Sequence, residues 1–148
     1  MQKIKPIDLH PVLNRSKFKS ILRDLWLGSA PKVIKSEPIT GNYTHLRTKK
    51  EVHKRINAII RKSERIKIGV MGNLIARMDA EDYRTEWYNV ECVYKTNSYE
   101  NARSFEVGLI KKYKKRNPKI VKNVSEAKAG RLTTYTGEYF IYVVFNEK

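Results

Sequence analysis

The sequence predicts a small α/β domain: a mixed three-stranded β-sheet flanked by helices, with a helical extension at its N-terminal side. Three observations predict it. Apolar residues recur with a helical period in some stretches and alternate or cluster as strands do in others. Hydrophobic residues make up 41% of 148, enough for a core at one-domain length. From about residue 64 the elements follow the order β-α-β-α-β, which suits a compact α/β domain.

Each element has its own signal. Residues 1–15 are irregular and contain Pro6 and Pro11. Ser16 can cap a helix whose apolar stripe is Phe18, Ile21, Leu22, Leu25 and Trp26, and Gly28 ends it. Residues 29–47 hold Pro31, Pro38 and Gly41 and read as a connecting loop. Residues 1–47 are therefore expected to form a basic extension, and 48–148 the α/β domain with its leading helix. Thr48 and Glu51 make a capping box for that helix, with Val52, Ile56, Ile59 and Ile60 on its inner side. Ile56 to Arg65 reads as helix followed by a turn. Ile66 to Met71 is a short strand, Gly72-Asn73 a turn, and Leu74 to Ala80 a short helix. Tyr88 to Lys95 alternates with Val90, Cys92 and Tyr94 on one face. Ser98 opens a helix that runs to Arg116 and stops at Asn117-Pro118. Residues 117–137 read as loop, and Tyr139 to Phe145 as a closing strand rich in aromatic and β-branched residues.

Charge narrows the class of partner. Thirty-one Lys and Arg face 15 Asp and Glu, a net charge of +16. Such an excess repels itself in a compact state, and a polyanion is the common reason for it. No basic amphipathic helix with a large aromatic face points to a membrane surface instead. Cys92 is the only cysteine, which leaves no internal disulfide and no cysteine-based zinc cage. His10, His45 and His53 lack metal-ligand spacing. Neither a signal-peptide run nor a bilayer-length apolar stretch is present, so a cytoplasmic protein is expected.

Two residues stand out as chemistry. Glu106 has Ala102, Leu109, Ile110 and Tyr113 at helical neighbour positions, so its carboxylate projects from the middle of an apolar stripe. Such a carboxylate is costly unless it pairs with an arginine or holds a metal. Arg77 falls in the first turns of the helix after the 66–71 strand, where helix amides also favour anions. Phosphodiester cleavage needs a cation for the developing charge and a metal on a phosphoryl oxygen. Mg²⁺ commonly takes just one or two protein carboxylates.

Here the sequence resembles the GIY-YIG nuclease superfamily. Ile66-Lys67-Ile68-Gly69-Val70-Met71-Gly72-Asn73-Leu74-Ile75-Ala76-Arg77 is similar to its second strand, turn and arginine-bearing helix, with Ile68-Gly69 at the end of "YIG". Phe105-Glu106-Val107-Gly108-Leu109-Ile110 resembles the helix with the metal-binding glutamate, and Asn123 the asparagine that braces the site. The resemblance covers residues 64–145 and implies a Mg²⁺- or Mn²⁺-dependent endonuclease with Glu106 as metal ligand, Arg77 on the phosphate, and Gly69 and Asn123 as structural support. Lys67 stands at the family's tyrosine position, and no Gly-Ile-Tyr strand precedes it. Lys67 itself, or Tyr139 or Tyr142 should their strand pair beside 66–71, would then attend the attacking water. Tyr83 is a further candidate for contact with the phosphate.

The run from Lys111 to Lys122 holds Lys111, Lys112, Lys114, Lys115, Arg116, Lys119 and Lys122 and no acid. It continues the Glu106 helix, so it is expected to follow a nucleic-acid backbone beside the site, giving affinity without sequence readout. Lys49, Lys50, Lys54, Arg55, Arg61 and Lys62 would widen the footprint. Trp26 and Trp87 are candidates for stacking on bases. The expected partner is nucleic acid, DNA before RNA, and no membrane. The alternatives are a nucleic-acid-binding protein of the same fold without cleavage, or a structural or assembly component such as a phage's.

Overall fold

The computed structural model describes residues 30–72, 78, 83, 86–123 and 137–148. They form a mixed α/β unit built on a four-stranded sheet: β1 (Lys32–Val33), β2 (Ser63–Met71), β3 (Asn89–Thr96) and β4 (Tyr139–Glu147), in spatial order β1-β3-β4-β2. β4 runs antiparallel to both neighbours, and β1 lies parallel to β3. Central β4 is apolar on both sides. Ile141, Val143 and Phe145 face one way and Tyr142 and Val144 the other, all buried. A strand apolar on both faces needs cover on both.

Helices α1 (Leu46–Lys62) and α2 (Tyr99–Arg116) supply one cover. Val52, Ile56, Ile59 and Ile60 of α1 and Phe105, Leu109, Ile110 and Tyr113 of α2 pack with Ile66, Ile68, Val93, Tyr94 and the odd-numbered side of β4. On the far face Met71, Met78, Tyr83, Trp87 and Val90 close over Tyr142 and Val144. Every buried side-chain nitrogen or oxygen among the described residues has a hydrogen-bond partner. No helix among them is long and apolar enough to cross a membrane.

The sheet corrects the expectation of three strands. Lys32 N–H donates to Tyr88 O, Ile34 N–H to Val90 O and Ile39 N–H to Val93 O, so part of the span 1–47 joins the sheet as a fourth strand. β2 begins at Ser63, with no turn between it and α1. Ser63 leaves the helix in extended conformation at φ −109°, ψ 141°, and its hydroxyl donates to Ile59 O. α1 starts two residues before the expected cap. Asn42 Oδ1 accepts from the N–H and hydroxyl of Thr44, and His45 N–H donates to Asn42 O, so this turn launches the helix. Thr48 is buried in the first turn, and Glu51 pairs with Arg47. In β3 the register shifts between Cys92 and Tyr94. The extra residue at Val93 turns both Val93 and Tyr94 toward the helices, so Tyr94 does not share the face of Val90 and Cys92. Residues 120–122, expected as loop, bond to the outer edge of β2 through Ile66 N–H to Ile120 O and Lys122 N–H to Ile66 O. The expected helices at 16–28 and 74–80 lie outside the described residues, apart from the single position Met78.

Candidate functional site

Ser98 caps α2 by accepting from Asn101 N–H, which fixes the helix phase and with it the direction of Glu106. The Glu106 side chain is 3% exposed. Arg103, one turn earlier and partly exposed, donates from Nη1 to Glu106 Oε1 at 2.6 Å. This pair meets much of the cost of burying a carboxylate. The sequence left two outcomes open for Glu106, an arginine partner or a metal, and the arginine is present. Among the described residues no group of three or more His, Cys, Asp or Glu is placed to hold a metal. A Mg²⁺ held by one carboxylate takes its remaining ligands from water and phosphate, and the 3% exposure of Glu106 leaves little room for such a shell. Glu106 is the described residue that would have to hold it, and its carboxylate is already engaged by Arg103. Arg77, the expected phosphate ligand, lies outside the described residues, as does Trp26.

The other candidates divide between the two faces of the sheet. β4 does pair beside β2, with Tyr142 directly opposite Gly69. The Tyr142 ring lies on Gly69: a β-carbon there would be 2.8 Å from Tyr142 Cε1 and closer still to Cζ and the hydroxyl. The Tyr142 and Tyr83 hydroxyls are 2.6 Å apart, and Lys67 Nζ stands 5.3 Å from the Tyr83 ring centroid. Lys67, Gly69, Tyr83 and Tyr142 thus form one cluster, on the face of the sheet away from α2. Tyr139 has the opposite parity along β4 and meets Tyr99 of α2, with ring centroids 5.6 Å apart. Of the tyrosines proposed for the water, Tyr139 alone shares the Glu106 face.

Asn123 is 7% exposed and grips β2. Its Oδ1 accepts from Ile68 N–H at 3.0 Å and its Nδ2 donates to Ile68 O at 2.8 Å, which extends the 120–122 ladder with a side chain. Lys114 Nζ donates to Asn123 O at 2.6 Å, so this lysine is turned inward from the basic run.

Lys111, Lys112, Lys115, Arg116, Lys119 and Lys122 are exposed, as are Lys49, Lys50 and Lys54 on α1. None of these nine forms an ion pair with a described carboxylate. By contrast Arg47, Lys62 and Lys95 do pair, with Glu51, Glu147 and Glu138. The helices are tied together where His53 Nδ1 meets the Tyr113 hydroxyl at 2.6 Å. No family model, curated protein or solved structure matches the chain.

Three residues of this region carried no sequence signal as a site. Arg103 was legible only as an ordinary i, i+3 partner of Glu106. His53 and Tyr113 are 60 positions apart, and nothing in either segment announces their contact. Trp87, a stacking candidate, is 3% exposed beneath the Arg65 guanidinium, which lies 4.6 Å from its ring centroid. It packs in the core rather than on a base.

Proposed function

We propose that this protein is a metal-dependent endonuclease acting on DNA phosphodiester bonds, with a GIY-YIG-like arrangement on α2. The observation that carries the reading is the double character of that helix. It buries Glu106 on the sheet side and, toward its C-terminus, bears cations that no described carboxylate neutralises. Opposite charge from a phosphate backbone is what such a face lacks. Glu106 would hold Mg²⁺ or Mn²⁺, which when bound polarises a phosphoryl oxygen. Arg103 orients the Glu106 carboxylate, Arg77 meets negative charge on the phosphate, and Tyr139 orients water on the same face. Lys67, Tyr83 and Tyr142 support β2 from the other side, and Asn123 holds its edge.

The test is plasmid nicking with Mg²⁺ or Mn²⁺. Native protein is expected to nick, and both Glu106→Gln and Glu106→Ala to lose nicking while still binding DNA. A second reading, a binding module without cleavage, is favoured by the Arg103–Glu106 pair and by Lys67 at the family's tyrosine position. Tight, salt-sensitive binding with no cleavage in either metal would support that reading and refute the nuclease.

A further inference from the structure

The contact between His53 and Tyr113 draws two sets of cations to one place. Lys49 lies one turn before His53 on α1. Lys112 and Arg116 flank Tyr113 on α2. All three cations are exposed and lack an ion pair with any described carboxylate. His53 itself is half-buried between the helices, its ring 5.6 Å from that of Tyr113. Three like charges around one imidazole oppose one another and oppose a fourth on the ring. An anion seated among them relieves both.

We propose that Lys49, His53, Lys112 and Arg116 form one phosphate subsite bridging α1 and α2, and that His53 takes up a proton when a nucleic-acid phosphate occupies it. This rests on the nucleic-acid reading above and adds a site on α1 to it. The groups facing His53 are Lys49 from its own helix and Lys112, Arg116 and Tyr113 from α2. Burial holds His53 below its ordinary value of 6.5, and Lys112, Arg116 and Lys49 lower it further. Burial also pushes Tyr113 up to about 12, so it keeps its hydroxyl proton throughout. In the neutral state the imidazole tautomer decides which group donates across this contact, and His53 O is a second acceptor for the Tyr113 hydroxyl at 3.5 Å. In the protonated state Nδ1–H donates to the Tyr113 oxygen, and the contact survives the change. A bound phosphate cancels the repulsion from the three cations, so the complex holds more protons than the free protein in the window between the two His53 pKa values. Affinity therefore rises as pH falls through that window.

The experiment measures binding of a short DNA duplex by fluorescence anisotropy between about pH 5 and 8, the range in which histidine titrates. Native protein is expected to gain about tenfold in affinity for each unit by which binding raises the His53 pKa. His53→Gln is expected to lose that gain, and His45→Gln to keep it. Lys49→Ala and Lys112→Ala should each reduce the salt slope by about one phosphate contact. An NMR titration of the His53 ring in native protein, free and with duplex, reads the same pKa difference without any substitution. An unchanged His53 pKa, or equal pH dependence in native and His53→Gln protein, overturns the proposal while binding stands. No binding at low salt at any pH would instead sink the nucleic-acid reading itself.

Discussion

Gly69→Ala tests the packing of the far face directly. A methyl group at this position would stand 2.8 Å from Tyr142 Cε1 and nearer still to Cζ and the hydroxyl. The ring cannot swing aside freely: Tyr142 is 1% exposed, and Met71, Met78, Tyr83, Trp87, Val90 and Val144 are buried in the same cluster. Overpacking of this kind costs about 1–3 kcal/mol. Displacing the ring also breaks the 2.6 Å contact between the Tyr142 and Tyr83 hydroxyls, a hydrogen bond worth about 0.5–1.5 kcal/mol. The expected loss is therefore about 2–4 kcal/mol, or roughly 5–15 °C in Tm for a domain of this size. Urea unfolding followed by circular dichroism measures it. The double variant Gly69→Ala/Tyr142→Val should lose less than the sum of the two single changes, because removing the ring removes the clash. A loss below about 0.5 kcal/mol for Gly69→Ala, within the range of an ordinary surface change, would refute the packing argument.

Two further predictions concern buried polar contacts. Arg103→Ala removes the 2.6 Å contact to Glu106 and is expected to cost about 1.5–3 kcal/mol near pH 7, the range for a hydrogen bond to a charged group. Urea unfolding of the native and Arg103→Ala proteins, followed by circular dichroism, checks it. Asn123→Leu keeps the bulk but leaves Ile68 N–H and O without their carboxamide partner. It should destabilise by about 2–4 kcal/mol and speed amide exchange at Ile68, as hydrogen-exchange NMR would show.

The parts of the fold that read correctly from sequence are those whose signals are local. Ser98 and the Asn117-Pro118 pair bound α2 because a cap and a proline act within one turn. The aromatic and β-branched run at 139–145 lies in a strand because it must be covered on both faces. What escaped depends on partners. β1 is two residues whose pairing comes from the β3 backbone and leaves no side-chain period to read. The bulge at Val93 is set by register against β4, so alternation along β3 alone misplaces Tyr94. The true start of α1 rests on the Asn42 turn, which a nearer capping box concealed. For the site, the burial of Glu106 was legible from helical spacing, and so was an arginine as one answer to it. That Lys67 and Tyr142 stand on one face and Tyr139 on the other follows from strand parity, which is readable only once the pairing is known.

The ladder that ties residues 120–123 to β2 has a consequence for the cations beside it. Lys119 and Lys122 flank a backbone held by Ile66 on one side and by the Asn123 carboxamide on the other. A basic tail on a free loop must order its main chain as well as its side chains when it meets a polyanion, at about 1–2 kcal/mol per residue for the main chain. Here that ordering is complete before any encounter, and only the lysine side chains remain to be fixed. The charge at this edge is thus carried on an ordered main chain, and an anion meeting it would face only the side-chain part of the ordering cost.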